Sequence, residues 1–232
     1  MLRAIYFDAV GTLIHPQPSA AAVYAEVGAR HGSSYRREQI GQRFAAAFEK
    51  QEMLDRQHGR QTSEAREQER WRDIVAEVLD DVRDPAACFA ELYEHFARPD
   101  AWTCEPGVAD LLANLQREGY VLGLASNYDH RLHAVIAGLT PLRSIQHLLI
   151  SSEIGWRKPA PGFFESLVRQ AGAPPEKILY IGDDRVNDYD GARAAGLQAV
   201  LLDPAGGGAA GTIRALGELS LTPRNRCAHP GA

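Results

Sequence analysis

From Trp102 onward, short apolar runs alternate with amphipathic stretches. "GVADLLANLQREG", "DHRLHAVIAGL", "PAPGFFESLVRQAG" and "NDYDGARAAG" read as helices, and between them lie "YVLGLAS", "IQHLLIS", "KILYIGD" and, last, "LQAVLLD". Apolar strands of this length, spaced by helices, satisfy their buried faces only in a parallel sheet covered on both sides. One more such strand, Ala4-Ile5-Tyr6-Phe7, opens the chain far from the others. The stretch between, from Ser19 to about Ala97, has apolar residues three and four apart, Glu and Arg filling the rest, and no strand signal. Gly32, Gly59 and Asp84-Pro85 punctuate it. The expectation is an α/β core from 1–16 and 100–232 with an all-helical insertion at 17–99.

Strand ends are where ligands bind in such sheets, and this rule sorts the polar residues. Asp8 closes the first strand, ahead of a Gly11-Thr12 turn. A carboxylate there is costly unless paired or put to use, and it is a candidate nucleophile. Ser126-Asn127 follows "LGLAS" and offers a hydroxyl and nearby backbone amides to an anionic oxygen. Ser151-Ser152 follows the next strand. Lys158, held extended by Pro159, is a cation able to balance charge on a nucleophile and a phosphoryl group. "YIGDDRVND" then brings Asp183, Asp184 and Asp188. Carboxylates gathered near Asp8 repel unless a cation joins them, and an oxygen-only set suits a hard ion such as magnesium. Taken singly, each has a plainer explanation: a turn aspartate, a Ser-Asn turn, a solvated lysine, an acid capping a helix. Capping accounts for one of the three late aspartates and not for the group.

The totals exclude some classes. With 232 residues, a net charge of −5 and scattered Lys and Arg, nothing favours nucleic acid. No apolar run is long enough to span a bilayer, and the N-terminus lacks a secretory-leader pattern. Cys88, Cys104 and Cys227 are widely spaced and odd in number, which fits reduced thiols in a cytoplasmic protein. No Cys or His pair has zinc-site spacing. "AGGGAAGT" lacks the Gly-Lys ending of a phosphate loop and reads as a connector; "TPRNRCAHPGA" reads as a frayed end.

The order of these pieces resembles the haloacid dehalogenase superfamily of hydrolases: "FDAVGTL", "LASNYD", "WRKPAPGFF" and "YIGDDRVNDYDGARAAG" match its motifs in sequence, from Ala4 to about Asp203. The insertion after the first motif resembles the helical cap of its type-one members. The resemblance implies a three-layer Rossmann-like sandwich under a mobile cap. It implies Asp8 as nucleophile and magnesium ligand, with the Val10 carbonyl and Asp183 as further ligands and Asp188 supporting through water. Asp184 would be an alternate or outer ligand. Thr12 and Ser126 would hold phosphoryl oxygens with Asn127 assisting, and Lys158 would orient Asp8.

Val10 departs from the pattern. Phosphatases of the superfamily carry a second Asp there, a proton donor worth roughly 10²–10⁴ in rate. Three readings follow: a magnesium-dependent phosphohydrolase of a small phosphorylated metabolite, using good leaving groups or an acid such as His15 or His31; a non-catalytic or regulatory binding protein on the same fold; and a 2-haloacid dehalogenase. "GDDRVND" argues against the last, whose members lack this acidic pair. Oligomeric state has no signal in the sequence.

Overall fold

The computed structural model describes residues 1–206 and 210–221. Strands β1 (Ala4–Phe7), β4 (Val121–Ser126), β5 (His147–Ile150), β6 (Ile178–Gly182), β7 (Gln198–Leu202) and β8 (Thr212–Ile213) form one sheet in the order β5-β4-β1-β6-β7-β8. All of its pairings are parallel. β1 pairs Phe7 with Leu124 on one side and Ile181 on the other. The chain lays down β4 and β5 on one side of β1 and returns to place β6 on the other, so the strand order reverses around β1, where α/β sheets open their binding crevice.

The alternation within β1 sets the two faces. Ile5 and Phe7 join Leu122, Leu124, Leu179 and Ile181 in one apolar layer. Ala4 and Tyr6 join Phe163, Phe164, Ile178 and Tyr180 in the other. Helices α5 (Val108–Arg117), α6 (Arg131–Gly138), α7 (Ser151–Ile154), α8 (Pro161–Ala171) and α9 (Gly191–Ala194) accompany the strands. The resulting α/β, Rossmann-like fold is the one the strand–helix alternation requires.

Four helices precede these: α1 (Ala20–Arg30), α2 (Arg37–Gln57), α3 (Glu64–Val78) and α4 (Pro85–His95). They hold a core of their own, including Val23, Tyr24, Ile40, Ile74, Val78 and Leu92. Ser63 and Asp84 cap α3 and α4, accepting the Arg66 and Ala87 amides.

Two features escaped the sequence. Ile14–Pro16 (β2) and Trp102–Cys104 (β3) pair antiparallel, so the chain leaves the sheet and re-enters it through one short ribbon. Each is only three residues long, too short for a period-2 pattern to register. The glycine-rich connector is followed by β8, an edge strand against β7. The terminal stretch "TPRNRCAHPGA" and Cys227 lie outside the described residues.

Candidate active site

Because β4, β1 and β6 are neighbours and parallel, the residues after them converge at one edge. Asp8 Oδ1 accepts hydrogen bonds from Ser126 Oγ at 2.9 Å and Lys158 Nζ at 2.6 Å. Lys158 Nζ also donates to Asp188 Oδ1 at 2.6 Å and to the Tyr180 hydroxyl at 2.9 Å. The ammonium's three donors are thereby all used. Tyr180, on β6, donates in turn to the Ala125 carbonyl at 2.6 Å. Its part in the site was invisible in sequence, where it reads only as one apolar strand position.

Asn127 acts on the backbone of the lysine. Its Oδ1 accepts the Lys158 amide at 2.7 Å and its Nδ2 donates to the Lys158 carbonyl at 3.2 Å. Both groups of the amide are spent on holding that loop, which reaches Pro159 through a cis peptide. Thr12 is fully buried and donates its hydroxyl to Asp183 Oδ1 at 3.1 Å. It sits behind the carboxylate rather than on the cavity wall.

Two glycines make room for this. Gly11 has φ of +93°, and a Cβ there would stand 2.3 Å from Asp183 Oδ2. A Cβ on Gly182 would fall 2.2 Å from Asp188 Oδ2. Asp188 Oδ2 accepts the Asp184 amide at 3.0 Å. Asp184 proves to be the capping acid: it accepts the Val186 and Asn187 amides at 2.8 Å each and the Asn187 side-chain amide at 2.9 Å.

Oxygens of Asp8, Asp183 and Asp188 lie within 4.8 Å of one another. Burial pushes the Asp8 carboxyl up, against the pull of Lys158. Burial and the Asp8 charge push Asp188 up to about 6, again against Lys158. Burial acts to lower Lys158, but the Asp188 and Asp8 carboxylates outweigh it and hold the lysine well above its ordinary value. One ammonium among three carboxylates leaves excess negative charge, and a hard divalent cation fits that donor set.

A cavity of about 380 Å³ opens over these groups, with Asp8, Val10, Ser126, Lys158, Asp183 and Asp188 on its wall. Residues of α1, α2 and α3, among them Tyr24, Phe44 and Trp71, form the facing side. His15 and His31 are not on its lining: they face Glu105 at 2.5 Å and Glu91 at 2.8 Å. Neither histidine is placed to replace the missing acid.

Beside Lys158, Arg157 enters a second buried cluster that the motifs gave no sign of. Its guanidinium meets Glu67 at 2.5 Å, Glu52 at 3.3 Å and Asp55 at 3.4 Å, all from α2 and α3. The backbone follows the same route: the Arg157 amide donates to the Arg60 carbonyl at 3.0 Å, and the Thr62 amide to the Gly155 carbonyl at 3.1 Å. The α2–α3 loop is thus fastened to the segment that carries the lysine.

The switch point of the sheet thus gathers a buried aspartate, a buried lysine and two further carboxylates in one cavity. The chain belongs to the haloacid dehalogenase-like hydrolases, whose family model matches residues 2–196. It is 29% identical over 215 residues to haloacid dehalogenase-like hydrolase domain-containing protein 3 of Bos taurus, covering 88% of this chain and 85% of that one. Over a shorter span of 99 residues it is 31% identical to a phosphoglycolate phosphatase of Mesorhizobium japonicum, covering 42% of this chain and 43% of that protein. The fold superposes on the HAD-hydrolase YfnB of Bacillus subtilis, solved bound to magnesium, with a TM-score of 0.74 and 19% identity, over 94% of this chain and 96% of that one.

Proposed function

We propose that this hydrolase is a magnesium-dependent phosphohydrolase of a small phosphorylated metabolite, with Asp8 as nucleophile. The observation that carries the reading is the cluster of buried Asp8 and Asp188 with cavity-facing Asp183 around a single lysine. Halide displacement needs one carboxylate and no cation, whereas this arrangement calls for one. Asp8, Asp183 and Asp188, with the Val10 carbonyl, are the groups that would hold magnesium. When bound, the ion would neutralise phosphoryl charge and the carboxylate repulsion.

Both contacts to Asp8 fall on Oδ1, which leaves the lone pairs of Oδ2 for attack on phosphorus. As that bond forms, the bond from phosphorus to the leaving oxygen breaks and its electron pair departs with the leaving group. Lys158 stays charged throughout and stabilises the crowded anions; Tyr180 and Asn127 keep it in place. A water then attacks phosphorus, phosphate departs, and the Asp8 carboxylate is restored. Val10 supplies no proton to either step, and His15 and His31 lie off the cavity, so the reading favours a leaving group that departs without protonation. Ser126 both anchors Asp8 and stands on the cavity wall beside the phosphoryl position, while Thr12 acts through Asp183.

Residues 17–99 act in this reading as a helical cap over the strand ends, supported by their separate core and by their contribution to the cavity wall. The protein is read as cytoplasmic and without nucleic-acid or membrane partners. Cys88 and Cys104 are free thiols, and among the described residues no helix is long and apolar enough to cross a membrane.

Acetyl phosphate, whose leaving group needs no proton, is the direct test. Asp8→Asn is expected to lower its magnesium-dependent turnover by at least about 10³-fold. Equal turnover by the two proteins would remove Asp8 as nucleophile.

A further inference from the structure

Part of the cavity lining is a run of aromatic rings. Phe48, Phe44, Tyr24, Phe96, Trp102 and Tyr128 form an unbroken chain, with successive centroids 6.1, 5.4, 6.2, 5.9 and 6.1 Å apart. All six line the cavity. The chain starts on α2 and ends two residues from Ser126. The Trp102 indole N–H and the Tyr128 hydroxyl both donate to the Phe96 carbonyl, at 3.2 and 3.4 Å. Trp102 and Tyr128 therefore turn their polar groups to the backbone and leave their rings to the cavity.

The arginines on the lining are committed elsewhere. Arg70 pairs with Glu52 at 2.7 Å and Asp55 at 3.1 Å. Arg131 pairs with Asp129 at 2.7 Å and donates to the Tyr93 carbonyl at 3.1 Å. Arg157 is held by Glu67 and Glu52. Among the described residues, then, each lining arginine already has its carboxylate, and a substrate carrying its own carboxylate would bury it without a partner. A sugar's hydroxyls would meet rings that return few hydrogen bonds.

Val10 narrows the chemistry independently. With no proton donor at that position, the leaving oxygen departs as an anion, which favours one of modest basicity. A phenol titrates near 10, as the tyrosine side chain does, far below an aliphatic alcohol. An aryl group satisfies both constraints, because it leaves without a proton and stacks against rings.

We propose that the substrate is the phosphate monoester of a neutral aromatic alcohol, with its ring against the Phe44–Tyr24–Phe96 wall and its phosphoryl group at Asp8. This rests on the phosphohydrolase reading above. The Asp8 Oδ2–phosphorus bond forms as the phosphorus–aryloxide bond breaks. The aryloxide keeps the electron pair and takes a proton from solvent. Water then cleaves the aspartyl phosphate, its proton leaving with phosphate or solvent.

The test compares kcat/KM for phenyl phosphate, glucose 6-phosphate, phosphoglycolate and acetyl phosphate with magnesium present. It uses wild type, Asp8→Asn, Phe44→Leu and the solvent-facing Phe48→Ala. Quenching of tryptophan fluorescence by phenylphosphonate, a non-hydrolysable probe, reads binding apart from turnover. Phenyl phosphate is expected to exceed glucose 6-phosphate and phosphoglycolate by about 100-fold. Phe44→Leu, which keeps bulk and removes the ring, is expected to lower that preference, and the phenylphosphonate affinity, by about 10-fold. Asp8-dependent turnover with glucose 6-phosphate or phosphoglycolate equal to or above phenyl phosphate would overturn the aryl assignment and leave the phosphohydrolase standing. So would a preference unmoved by both wall variants. No Asp8-dependent turnover of any compound, acetyl phosphate included, would overturn both.

Discussion

Arg157 and Lys158 are adjacent in the chain and both buried, yet they anchor charge clusters of opposite balance. Around Arg157 the guanidinium groups of Arg60, Arg66 and Arg70 share Glu52 and Asp55, and Arg157 itself holds Glu67, so every carboxylate there has an arginine. Around Lys158 a lone ammonium serves Asp8 and Asp188, with Asp183 close by and open to the cavity. Burial of charge is common to both. What separates the fastening from the candidate site is the unmatched charge left over around Lys158.

Removing each cation breaks this comparison in a different way. Lys158→Met is expected to cut acetyl phosphate turnover by about 10²–10³-fold, since one aimed charge is lost from the reacting centre. A turnover within threefold of wild type would deny the lysine any part in the chemistry. Val10→Asp works in the opposite direction. It supplies the absent proton donor and is expected to raise turnover of a simple alkyl phosphate by up to ~10²-fold, and that of acetyl phosphate much less. A folded variant without any gain on alkyl esters would show that Val10 does not limit the rate. Arg157→Met has the smallest expected effect on turnover, under about 10-fold, but leaves buried Glu67 without its ion-pair partner. Its urea midpoint is expected to fall by the equivalent of about 3–5 kcal/mol. If stability held and turnover collapsed instead, the two clusters would be one functional unit.

How much of this was legible depends on the distance over which each feature is encoded. The parallel sheet follows from apolar runs such as "YVLGLAS" and "KILYIGD", because strand and helix patterns are local. The strand-end rule singled out Asp8, Ser126 and Asp183, and the Lys-Pro stretch Lys158, without knowledge of the contacts that bring them together. Tyr180 was hidden because its hydroxyl acts across the sheet from an apolar strand position, on Lys158 and Ala125. Thr12 and Asn127 were expected to hold phosphoryl oxygens, but their side chains hydrogen-bond within the protein: Thr12 to Asp183, Asn127 to the Lys158 backbone. The Arg157 cluster and the ring wall have no short signature at all. Glu67 and Arg157 are 90 positions apart, and their pairing exists only once α3 packs against the segment that carries Arg157. On α2, Phe44 and Phe48 look like any core-facing pair four residues apart.

The central claim is that the carboxylates around Lys158 are under-neutralised and take up a magnesium ion. Titration calorimetry on the wild type, Asp183→Asn and Glu67→Gln measures this without reference to turnover. Asp183 is exposed, so its amide variant keeps the fold. The account predicts one magnesium site in wild type, affinity weakened by at least about 10-fold in Asp183→Asn, and no change in Glu67→Gln, which alters only the arginine cluster. Equal magnesium binding by wild type and Asp183→Asn, or loss of binding in Glu67→Gln alone, would contradict it.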